Sequence, residues 1–142
     1  MIPFTDREIK NAWRQNKLAY QDVQTKTNAH RLLLFYSVEC GLKAVIMKRQ
    51  NKNCTDLCKK EFEESKHNIN KLLDFLKAGK DLKLPNQLNM RPLKQNEERK
   101  FTAGDINQMW RYGGCSEDIK DDELEKKLIK ILTWIEQELG RL

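Results

Sequence analysis

The segment from Asn28 to Arg49, NAHRLLLFYSVECGLKAVIMKR, is the most apolar run in an otherwise polar chain, and a folded core has to be assembled around it. Its length predicts a buried central helix. Asn28 is placed to accept first-turn backbone donors, and Lys48 and Arg49 suit the negative end of the helix dipole. At about 1.5 Å per residue such a helix crosses a small domain from side to side. Leu32 to Tyr36 is apolar all round, so neighbours must cover it on several sides. Glu39 breaks the pattern, because Leu32, Phe35, Tyr36, Leu42 and Ile46 surround it at helical spacing. A carboxylate buried there needs a cation, since burying it alone costs several kcal/mol. Lys43, one turn later and in the favourable Glu-before-Lys order, is the nearest candidate.

Around this helix the chain reads as further helices. Thr5 and Glu8 form a capping-box pattern that starts a first helix near Asp6, with Ile9, Trp13, Tyr20 and Val23 as its apolar stripe. The polar segment after Arg49 holds room for a short helix begun by Thr55. Ser65 or Asn68 caps another, which carries Ile69, Leu72, Leu73, Phe75 and Leu76 and stops at Gly79. From Lys80 to Gly104 the helical period is lost at Pro85 and Pro92, yet the apolar residues are too many for a loose linker. The expectation is an ordered, extended excursion over 80–104, with room for a small hairpin, facing a ligand or a partner. Asp105 caps a short helix through Tyr112, closed by Gly113 and Gly114. A last helix then packs through Leu124, Leu128, Ile131, Ile135 and Leu139. Ile129, Leu132 and Trp134 widen that stripe, which points to a homodimer or hetero-oligomer formed through this helix.

A chain of 142 residues suits one domain, here 1–142, able to bury its core without staples. The opening MIPFTDREIK has no signal-peptide pattern, and no apolar run reaches the roughly 18 residues of a membrane span. The four cysteines form no regular framework, so reduced thiols in a cytoplasmic protein, with no membrane partner, are expected. Cys54 and Cys58 are spaced for half a zinc site, but no second pair follows, so neither metal nor cofactor is expected.

The net charge of +6 attracts an acidic partner without specifying it. From Lys43 to Lys60 six basic residues face one acid, which makes Lys43, Lys48, Arg49 and Lys52 candidate phosphate contacts, against the plainer reading of a solvated helix end. His67, at a helix entrance, reads as a hydrogen-bonding residue. Neither a phosphate-binding glycine loop nor a nucleophile elbow is present.

The series HRLLLFYSVECGLKAVIMK, SKHNINKLLDFL, WRYGG and a closing amphipathic helix resembles the HEPN superfamily, small all-helical domains of nucleotidyltransferase-associated, toxin–antitoxin and antiphage systems. Glu39 and Lys43, then His67 to Ile69, then Arg111 and Tyr112 carry the resemblance. It implies an all-α, antiparallel HEPN-like bundle of about five helices. Ribonucleases of that superfamily carry an arginine followed four to six residues later by a histidine, whereas here Cys115, Ser116 or Glu117 stands at that spacing after Arg111. None of these is an imidazole base. The resemblance therefore implies a non-catalytic domain that binds RNA, a nucleotide or a protein, such as a nucleotidyltransferase or nuclease, in a prokaryotic defence or toxin–antitoxin module. A ribonuclease with an unusual site on Arg111, His67 or His30 is the enzymatic alternative, and a structural subunit lining RNA in a larger assembly is the third. Arg111 has two readings: the cation that joins Lys43 in neutralising Glu39, or, with Tyr112, a contact to bound phosphate and base.

Overall fold

The computed structural model describes residues 2–94 and 96–140, so Gln95, inside the excursion, lies outside the described residues. Those residues form six helices: α1 (Asp6–Gln21), α2 (Asn28–Arg49), α3 (Lys59–Ser65), α4 (Ile69–Leu76), α5 (Ile106–Arg111) and α6 (Asp121–Gly140). The fold is mostly helical, with one small sheet of β1 (Leu88–Met90) and β2 (Arg99–Phe101), and the short helix expected after α2 is there, a 3-10 turn at Thr55–Cys58 leading into α3.

The apolar run 28–49 is one helix, and it is the axis of the core. Leu34, Phe35, Val38, Leu42 and Met47 have no exposed surface, and each contributes about 1.5–3 kcal/mol by its burial. Thr27 is its N-cap rather than Asn28. His30 Nδ1 accepts from the Thr27 backbone N–H at 3.1 Å, while the half-buried Asn28 side chain donates to the Gly114 carbonyl at 2.9 Å. The spacing alone did not separate these adjacent cap residues.

Helix α1 begins with the Thr5–Glu8 capping box and runs antiparallel to α2: Trp13 C=O accepts from Ser37 Oγ at 2.9 Å, and Thr5 bridges to Cys54 beyond the far end of α2. Helix α6, however, runs parallel to α2. Arg31 pairs with Glu125 at 2.5 Å, and Arg49 with Glu138 at 3.4 Å, so both helices advance together. The three helices meet at Gly41, where a Cβ would stand 2.8 Å from both Ile135 Cγ2 and Trp13 Cδ1. Only hydrogen fits there.

On the other side of α2, α4 is capped by Asn68, whose side chain accepts from Lys71 N–H at 3.3 Å. Its left-handed end falls on Lys77, at φ 51°, and not on Gly79, which takes φ 95° in the following turn. The described part of the excursion is seated on α4: buried Asn70 donates to Leu84 C=O and accepts from Leu84 N–H, both at 2.8 Å. Strands β1 and β2 then pair antiparallel, Leu88 opposite Phe101 and Met90 opposite Arg99. Asp105 turns its carboxylate back onto the Thr102 N–H at 3.1 Å instead of capping α5. Among the described residues no helix is long and apolar enough to cross a membrane.

Candidate functional site

The buried acid of α2 has found a hydrogen-bonding partner across the fold. Glu39 is 5% exposed, and its Oε1 lies 2.8 Å from His67 Nδ1 and 3.9 Å from Lys43 Nζ. Lys43 takes the place its one-turn spacing predicts. Arg111, expected in the same network, goes elsewhere: its guanidinium is exposed and donates to the Tyr36 hydroxyl. That bond, and then the neighbouring Tyr112 hydroxyl, push the Arg111 pKa upward.

His67 reaches Glu39 because of an unusual turn. Lys66 has φ 49° and ψ −118°, and Asn68 N–H donates to Ser65 C=O at 2.8 Å. These are the dihedrals of the first central position of a type II′ turn, a place that normally takes glycine. The strained lysine folds the chain between α3 and α4 back over α2 and lays the imidazole on the carboxylate. The hydrogen bond to Glu39 raises the His67 pKa, against burial and the nearby positive charges of Lys43 and Arg111. With Nδ1 committed to Glu39, the ring has no other protein partner among the described residues.

His67 and Lys43 form part of the wall of a cleft of about 650 Å³, which Lys59, Lys66, Phe62 and Thr55 also line. Lys43 Nζ stands 5.5 Å from the centre of the Phe62 ring, so its stem is packed and its charge directed. Asp56 and Glu63 share the wall, and Glu63 lies 4.0 Å from Lys59, so the half-exposed imidazole with Lys43 and Lys66 carries the positive side of the lining; lysine serves phosphate as a point charge.

The other candidates lie apart. Lys48 donates to the Glu138 and Leu139 carbonyls, each at 3.0 Å, and Arg49 donates to the Leu76 carbonyl at 2.6 Å and lies against the Trp134 ring. They close the C-terminal ends of α6 and α4, where cations complement the dipole. Lys52 lies beyond the end of α2, outside the lining of the cleft. His30 belongs to the α2 cap. Tyr112, 78% exposed, is not in the lining of this cleft and lines a hollow against the β1–β2 hairpin. The sequence marked Glu39 and Lys43 but gave His67 no link to them, since the turn that joins them depends on the conformation of Lys66.

Comparison of the chain with protein-family models, with curated proteins and with solved structures finds no match.

Proposed function

We propose that the protein binds a phosphate-bearing ligand, RNA or a nucleotide, at the Glu39–His67–Lys43 centre. One observation carries this reading: a buried carboxylate holds one edge of an imidazole at 2.8 Å, in a cleft whose wall sets Lys43, Lys59 and Lys66 against Asp56 and Glu63. Glu39 keeps His67 oriented and favours its protonated form, so the imidazolium adds to the lysine charges at the place where phosphate oxygens would sit. The resemblance of the helix order to the HEPN superfamily supports the same ligand class. On this reading the protein would act in a cytoplasmic defence or toxin–antitoxin setting, beside a nucleotidyltransferase or nuclease, with subunits paired through α6.

The test is calorimetric titration with uridine monophosphate at low salt. Binding that falls by about ten-fold in Lys66→Gly and in His67→Ala supports the reading, and absence of binding overturns it. Light scattering at high concentration checks the pairing, which a strictly monomeric protein would refute.

A second reading uses the same atoms. An imidazole whose Nδ1–H is held by a carboxylate presents Nε2 as a base, the arrangement used to take a proton from a hydroxyl. RNA cut by the protein in the presence of chelator, with cutting lost in His67→Ala, would make the centre a ribonuclease site. Binding without cutting leaves the first reading in place.

A further inference from the structure

The phosphate cleft does not end at His67. It shares Glu63, Lys66 and His67 with a second concavity of about 520 Å³, which crosses to the α5 side at Asp105 and Gln108. Those two residues also line a third, of about 610 Å³, formed between the β1–β2 hairpin and α5. The three thus adjoin through shared wall residues and line up from α3 past the Glu39-held imidazole to the hairpin. Their lining holds seven lysines and arginines against four carboxylates. Three of the four, Glu63, Glu64 and Asp105, line the middle concavity with Lys66 and Lys71, and Asp105 accepts from the Thr102 N–H at 3.1 Å and hydroxyl at 3.2 Å, so the excess of cations lies at the two ends.

The ends differ in chemistry. The α3 end offers lysines around His67, whereas the hairpin end sets Arg91, Arg99 and Lys100 beside Phe101 and the exposed ring of Tyr112. Cations interleaved with an aromatic face suit a chain of phosphates bearing flat bases, since stacking on aromatic rings accepts any base while the cations follow the backbone. A mononucleotide would fill only one end.

We infer that the three form one groove that takes a single-stranded nucleic acid several nucleotides long, with a phosphate at His67 and Lys43 and a base on Tyr112 at the hairpin end. This rests on the phosphate-binding reading and adds the length, the direction and the second contact region. It also gives the 80–104 excursion a role: Asn70 seats it on α4 and the hairpin forms one wall of the groove.

The test compares uridine monophosphate with a fluorescein-labelled 12-mer oligouridylate on the full chain, by calorimetry and by fluorescence anisotropy. The wild type is expected to hold the 12-mer at least ten-fold more tightly than the monophosphate. Lys100→Ala combined with Tyr112→Ala, both at exposed positions, should weaken the 12-mer about ten-fold and leave the monophosphate within two-fold. Equal affinity for the two probes, or a double variant with unchanged 12-mer binding, overturns the extended groove while the phosphate site stands. Failure of both probes to bind overturns the two readings together.

Discussion

His67 Nδ1 lies 2.8 Å from Glu39 Oε1, a contact between residues 28 positions apart that joins the central helix to the turn between α3 and α4. The imidazole is half outside and the carboxylate inside, with side-chain exposures of 53% and 6%. A charge that α2 cannot hold alone is thus answered from the surface. The same contact fixes the ring at the wall of the cleft.

A pH signature follows. The hydrogen bond to Glu39 raises the folded-state pKa of His67 above its ordinary value near 6.5. The folded protein therefore holds the proton more tightly than the unfolded chain. That stabilisation is fully present below about pH 6.5 and is lost as pH rises through the folded value. The difference in urea-unfolding free energy between the wild type and His67→Ala should shrink between pH 6 and 8.5. A difference that grows over this range contradicts the pairing.

Lys66 pays for the position of His67 with backbone strain at φ 49°. Lys66→Gly should raise stability by about 1 kcal/mol, because glycine takes this conformation without the steric penalty. The same change should weaken phosphate binding, since it removes a cation from the cleft. Urea unfolding and calorimetric titration of one variant read the two effects, which have opposite signs. A loss of stability would mean that the turn is not held as described.

Gly41→Ala tests the three-helix junction. The added methyl meets Ile135 Cγ2 and Trp13 Cδ1 at 2.8 Å, and overpacking of this kind costs about 1–3 kcal/mol. Thermal unfolding should show that loss. A neutral result would contradict the close approach of α1 and α6 over this turn of α2.

Thiol reactivity should follow burial. Cys40 is pushed up to about 11 by burial and by neighbouring Glu39, and burial also raises Cys58. Cys115 is exposed. Timed alkylation at pH 8 followed by peptide mass analysis should label Cys115 well before Cys40 and Cys58. Early labelling of Cys40 would show that α2 is not covered.

The sequence made the skeleton legible wherever a local pattern decides the outcome. The apolar run of 28–49 could only be covered from several sides, Thr5 and Glu8 announce a helix start, and the prolines of 80–104 forbid helix while its leucines demand contact. The burial of Glu39 was readable because its helical neighbours are apolar, and Lys43 because it lies one turn on. What stayed hidden depends on tertiary closure. Arg111 is a stronger cation than a histidine, so charge alone favours it for Glu39, yet α5 brings it to Tyr36 instead. Lys48 and Arg49 look like a phosphate cluster until the ends of α6 and α4 arrive beside them. The parallel course of α2 and α6 is set by the connections between them, which periodicity does not encode.

The most direct test of the centre is the nitrogen NMR titration of the His67 ring with and without uridine monophosphate. The chain holds two histidines, so His30→Gln assigns the signal. The account predicts a pKa above 6.5 without ligand that rises further when the nucleotide binds, because a phosphate beside the ring favours the imidazolium as Glu39 does. A His67 titration that does not move on addition of the nucleotide would contradict it.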